Sequence, residues 1–128
     1  MAGISTYLAN ALLDHLLGGD AYEPPTALYL ALYLSDPTAA DAGIEVEGEG
    51  YARQAITFAS AASQATENDV AVIFPEVEED WGKVTHWGIR DADTEGNLLL
   101  FGPVQQSRDV YAGDTVKVNV GALDVAMA

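Results

Sequence analysis

The spacing of apolar residues divides the chain into one helical stretch followed by a series of short extended ones. Ile4, Leu8, Leu12 and Leu16 recur every four residues, and Leu13 and Leu17 widen the stripe, as on the apolar face of an amphipathic helix. Ser5 or Thr6 can cap its start by accepting a hydrogen bond from a free backbone N–H, while Gly18 and Gly19 can adopt the left-handed conformation that ends many helices. A helix over 5–17 is therefore expected, and Glu23-Pro24-Pro25 cannot continue it. From 27 to 34 the period changes to two, with Leu28, Leu30, Leu32 and Leu34 alternating with Tyr29, Ala31 and Tyr33. Such a strand is apolar on both faces and needs two covers. The leucines are expected on a sandwich core, the tyrosines beneath the N-terminal helix or a neighbouring subunit.

Further strands are expected at 52–59, 70–74, 84–90, 98–104, 115–120 and 123–126, each bounded by turn-forming residues. The clearest hairpin joins 84–90 to 98–104 through a loop at 91–97, and Ala112-Gly113-Asp114 reads as a second tight turn. Residues 38–50 are small, acidic and Gly-containing, which suggests an exposed contact loop. Short strands with frequent turns and one helix imply a mainly β chain, a β-sandwich or jelly-roll-like domain with one N-terminal amphipathic helix. The expectation is a single domain over 1–128, with the helix at about 5–17 and the β domain at about 26–127.

Composition refines this picture. At 128 residues and 49% hydrophobic content the chain suffices for one core, and it has no apolar run long enough to span a membrane. No signal-peptide pattern opens it, so it is expected to be soluble and unprocessed, without membrane contact. Lacking cysteine, it has no disulfide, thiol nucleophile or thiolate metal site. The 20 acidic against 5 basic residues give a net charge of -15. That excess self-repels in dilute buffer but is screened at high salt, which points to a halophilic protein. Arg53, Lys83, Arg90, Arg108 and Lys117 are scattered along the sequence, so no nucleic-acid partner is expected.

Sites of chemistry are scarce. Asp91, Asp93, Glu95 and Gly96 imitate the opening of a calcium-binding EF-hand loop, and Asp91, Asp93 and Glu95 are the metal candidates, but Gly102 stands where the bidentate Glu belongs and strands flank the loop. A hairpin turn without a metal is favoured. Asp41, Glu45, Glu47 and Glu49 form a second acidic group, and Glu76, Glu78, Glu79 and Asp80 a third, both expected to be simply solvated. His15 suits a helix C-terminus, and His86 lies in a strand beside Trp87. No nucleophile elbow, phosphate loop, dinucleotide fingerprint or paired-histidine motif is present, so neither an enzyme nor a cofactor is expected. Apolar faces without a catalytic motif favour assembly, with Leu8, Leu12, Tyr29 and Tyr33 as candidate contact residues.

Four stretches carry a family resemblance. They are the opening Met1-Ala-Gly-Ile-Ser-Thr-Tyr-Leu-Ala-Asn-Ala-Leu-Leu-Asp-His15, then Tyr29-Leu-Ala-Leu-Tyr-Leu-Ser-Asp-Pro-Thr38, Gly48-Glu-Gly-Tyr-Ala-Arg-Gln-Ala55, and Thr85-His-Trp-Gly-Ile-Arg-Asp-Ala92 with Gly96-Asn-Leu-Leu-Leu100. With the closing Ala112-Gly-Asp-Thr115, they resemble a family of small tailed-phage proteins often labelled tail fibre or minor structural proteins. The resemblance implies a virion structural protein whose partners are other virion proteins, major capsid or tail subunits, and a homo-oligomer, trimer or pentamer. The leading expectation is a capsid decoration or turret subunit. The alternatives are a tail fibre or baseplate component and, further off, an acidic binding module that touches a receptor or mimics DNA. The added acids at Glu45, Glu47 and Glu49 suggest a haloarchaeal-virus-like member from a salt-loving host.

Overall fold

The computed structural model describes residues 3–126, so Met1, Ala2 and the expected domain end at 127 lie outside the described residues. The elements run β1 (Gly3–Ile4), α1 (Thr6–Leu17), β2 (Leu28–Tyr33), β3 (Gln54–Ile56), β4 (Ala65–Glu67), β5 (Val72–Ile73), β6 (Gly82–Arg90), β7 (Leu98–Val110), β8 (Lys117–Val118) and β9 (Asp124–Ala126). An antiparallel five-stranded sheet has the order β1-β7-β6-β2-β3, and β4-β9 and β5-β8 form two short ribbons. The chain is mainly β and sandwich-like, with open sheets and one helix near its N-terminus.

Its core lies between the large sheet and the ribbons. Leu30 and Leu32 of β2, Ile56 of β3 and Val84, Trp87 and Ile89 of β6 meet Val72, Phe74, Val77, Trp81, Leu123 and Val125 from the other layer. Tyr51 and Trp81 pack edge to face with ring centroids 5.2 Å apart, a geometry that suits the aromatic quadrupole. Asn68, fully buried, ties the ribbons together: its Nδ2 donates to Val70 O (2.9 Å) and Asn119 O (3.0 Å), and its Oδ1 accepts from Leu123 N (2.9 Å). Each hydrogen-bonding group of that side chain therefore has a partner, as burial demands.

Several boundaries differ from the expectation. Ile4 belongs to β1 and pairs with Leu100, because Ser5 ends the strand and caps the helix, its Oγ accepting from Leu8 N at 3.1 Å. Strand β4 was not anticipated, since Ala65-Thr66-Glu67 has no apolar alternation and is held by pairing with β9. The expected strand at 98–104 continues to Val110, because after an irregularity that sets Val84↔Arg108 next to His86↔Pro103 the chain resumes pairing with β6 through Arg108, Asp109 and Val110.

The second face of β2 is covered within the chain. Ala31 and Tyr33 are buried, and Tyr33 packs so closely over Gly88 that a Cβ there would lie 2.7 Å from the tyrosine ring. The helix is covered only at its start. Leu8 is buried, whereas Leu13, Leu16 and Leu17 are 55%, 73% and 83% exposed, so the apolar stripe runs past the sheet that should have covered it.

Candidate functional site

Two arginines organise the end of the large sheet. Backbone bonds from Leu34 N to Ile44 O (2.8 Å) and from Val46 N to Leu32 O (2.9 Å) lay residues 44–46 beside β2, which carries Glu45 to Arg53. Arg53 grips that carboxylate with both arms of its guanidinium, Nε to Oε2 at 2.8 Å and Nη2 to Oε1 at 2.7 Å. Tyr51 adds a third donor, its hydroxyl 2.6 Å from Glu45 Oε2, while accepting from Leu32 N. Arg90, at the end of β6, grips Asp41 in the same forked manner (2.8 and 2.9 Å) and donates to the Tyr33 hydroxyl at 2.9 Å. Fork-to-fork pairs of this kind are among the stronger polar contacts in proteins.

Both arginines also hold the hairpin loop between β6 and β7. Arg53 Nη1 donates to Ala92 O (2.9 Å) and Glu95 O (2.8 Å), and Arg90 donates to Glu95 O (3.2 Å) and Gly96 O (2.9 Å). Guanidinium groups thus occupy the carbonyls on the inner side of this loop. Asp91 closes the same loop from inside, accepting from Asn97 N at 2.7 Å and Asn97 Nδ2 at 3.1 Å. The side chains of Asp93 and Glu95 are exposed, and among the described residues no group of three or more acids or histidines is placed to hold a metal ion. Gly96 has φ of 70°, and a Cβ there would meet Asp91 Oδ1 at 2.5 Å. Gly96→Val should therefore cost about 1–3 kcal/mol, read as a lower midpoint in urea unfolding with an unchanged slope.

The electrostatics follow from this packing. Burial pushes the Glu45 carboxyl up, but hydrogen bonds from Arg53 and Tyr51 outweigh it and hold the group below its ordinary value. The Tyr51 hydroxyl is pushed up by burial and by its bond to Glu45. Arg53 is raised chiefly by its bond to Glu45, and Arg90 is raised despite burial by Asp41 and Tyr33, so both stay charged. Asp41 and Glu45, expected to be simply solvated, are instead the counter-ions of this cluster, and the two arginines, scattered in sequence, converge in space.

Thr85 Oγ1 lies 2.8 Å from His86 Nδ1, but no carboxylate is hydrogen-bonded to that ring among the described residues. His15 accepts from Tyr22 N at 3.1 Å through Nδ1, which folds the chain back after α1. Of the expected contact residues, Leu8 is buried, Leu12 and Tyr29 are half-buried, and Tyr33 is 1% exposed. Tyr33 is corrected as a contact residue, because its ring is covered by the chain itself and its hydroxyl is bound to Arg90. Uncovered apolar surface lies farther along the same helix, at Leu13, Leu16 and Leu17.

The sequence analysis missed Arg53 and Arg90 as organising residues. A signal existed: Arg90 closes the apolar run Trp87-Gly88-Ile89, and an arginine carried into a core by its neighbours must find anions.

Comparison with protein families finds a match to a model described as Podophage GP4 fiber I protein gp80, over residues 3–126. A comparison with curated proteins finds no match.

Proposed function

From the premise that the chain belongs to the podophage GP4 fiber I protein family, we propose that it is a structural fibre-type subunit that joins other components of a tailed virus particle. Family membership places the protein in the virion. The observation that carries the reading is the extent of the match, which takes in the helix, every strand and both arginines of the cluster. The arginine cluster serves this role by locking the loops at one end of the sheet into a fixed shape, a structural use of buried charge. The capsid turret, expected first from sequence, becomes the second reading. Quantitative mass spectrometry of purified virions tests the proposal: a fibre component is present in far fewer copies than the major capsid protein, whereas near-equal abundance favours capsid decoration and absence overturns both.

We further propose that the virus infects a salt-loving host. Asp41 and Glu45 are the only acids in ion pairs among the described residues, so most of the 20 remain to repel one another. Raising salt from about 0.1 M to about 1 M shortens the Debye length from about 10 Å to about 3 Å, so the melting temperature should climb over that range. A melting temperature that is flat or falls with added salt contradicts halophily.

A further inference from the structure

Among the exposed apolar surfaces of the described residues, two have complementary chemistry. One is the C-terminal half of α1, where Leu13, Leu16 and Leu17 stand in solvent beside Asp14 and Asp20. The other is a cleft of about 480 Å³ between the outer half of β7 and the segment carrying β8. Its floor is apolar, formed by Leu32, Val84, Val104, Val110, Val116 and Val118, and a second pocket of about 220 Å³ that shares Leu32, Val104 and Val118 prolongs it toward Trp87. The β7 backbone beyond Phe101 has no strand on its outer side among the described residues, because β1 pairs only with Leu100 and Phe101. The sandwich is therefore open along this side.

Charge distinguishes this cleft from the rest of the surface. Three of the five basic residues, Lys83, Arg108 and Lys117, make no ion pair among the described residues, and two of these, Arg108 and Lys117, line the cleft. The one carboxylate on the lining, Asp114, is engaged by Tyr111 N at 2.9 Å. In a chain of net charge -15, an apolar cleft bordered by unpaired bases fits an apolar, acidic occupant. The end of α1 has that chemistry. It cannot serve its own cleft, since Ser5 N is bonded to Leu99 O and buried Leu8 lies outside the core cluster between the layers, which puts the helix on the far face of the sheet.

We propose that the C-terminal half of α1 from one copy of this chain docks in the β7–β8 cleft of a second copy. This rests on the fibre-subunit reading and names the partner that such a subunit meets first. Because the two surfaces differ, the contact is head-to-tail, and repetition either closes a ring or extends along an axis. Leu16 and Leu17 enter the apolar floor, and Asp14 faces Arg108 and Lys117.

Sedimentation velocity tests this in salt where circular dichroism shows the protein fully folded. The parent should sediment as an oligomer. A helix variant, Leu16→Glu with Leu17→Glu, and a cleft variant, Arg108→Glu with Lys117→Glu, should each sediment as a monomer that circular dichroism shows to be fully folded in the same salt. Mixed one to one, the two variants should form a dimer and nothing larger, since each keeps one intact surface and together they build a single contact. A parent that stays monomeric, a helix variant that still assembles, or a mixture that forms no dimer overturns the proposal. A parent that is monomeric yet found in purified virions leaves the fibre-subunit reading standing and removes only this contact.

Discussion

Replacing Arg90 by methionine should lower the stability of the folded protein by about 2–4 kcal/mol, because it removes a buried guanidinium and takes a donor from the buried Tyr33 hydroxyl, the Gly96 carbonyl and the partly exposed Asp41 carboxylate. The Arg90 side chain is 8% exposed, and four groups depend on it: the Asp41 carboxylate, the Tyr33 hydroxyl and the carbonyls of Glu95 and Gly96. Methionine fills the space of the arginine stem but donates nothing. The melting temperature should fall on the order of 10–20 °C for a domain of this size. Asp41→Asn should cost less, since the Asp41 side chain is 37% exposed and the amide still accepts one bond. A loss under about 1 kcal/mol for Arg90→Met would mean that water serves these groups as well as the guanidinium does.

Glu45→Gln should have the next largest effect, about 2–3 kcal/mol, because the amide keeps the shape but turns two charge-assisted bonds from Arg53 into at most one neutral-acceptor bond. The pH dependence has a definite sign. Glu45 is held below its ordinary value of 4.5 in the folded chain, so the folded state favours its ionised form. Its contribution is complete above the unfolded value, and it is lost as pH falls through the lower folded value. Parent and Glu45→Gln should therefore differ in urea midpoint at neutral pH and converge in acid. A difference that persists unchanged below the carboxylate range would assign the loss to shape instead of charge.

These two residues also show how far the sequence could be read. Local patterns were legible: the β6–β7 hairpin with its loop at 91–97, the Ser5 cap and the two-faced apolar strand β2 all follow from spacing and turn chemistry. Pairing between distant segments was not. Glu45 and Arg53 lie on either side of a Gly-rich turn, and Arg90 meets Asp41 across 49 residues, so composition alone made the acids look solvated and the bases scattered. Strand β4 and the extension of β7 to Val110 escaped for a related reason. They lack apolar alternation, and β9 and the start of β6 supply their backbone partners, at Ala65 to Glu67 and at Arg108 to Val110. The apolar stripe on α1 was visible, but not that the sheet covers only its first turns. Exposed apolar surface on this helix therefore lies at Leu13, Leu16 and Leu17, while Tyr33 is covered.

The Tyr33 correction bears on function. A tyrosine face awaiting a neighbour would have placed the assembly surface on the large sheet itself. With that face closed by Tyr33, Gly88 and Arg90, the contact proposed above uses the helix end and the open side of the sandwich instead. Both are distant in character from the arginine cluster, which is internal and serves shape. Stability and assembly are thus assigned to different residues, so variants at Arg90 should disturb folding and variants at Leu16 or Lys117 should disturb association.

Immunogold electron microscopy of purified virions, with antibody raised against the folded chain, distinguishes a fibre-type structural subunit from a shell protein. Gold should lie on fibres projecting from the particle and be lost when the antibody is preabsorbed with the protein. Gold spread over the capsid shell, or none on intact virions that contain the chain by mass spectrometry, would contradict the fibre reading.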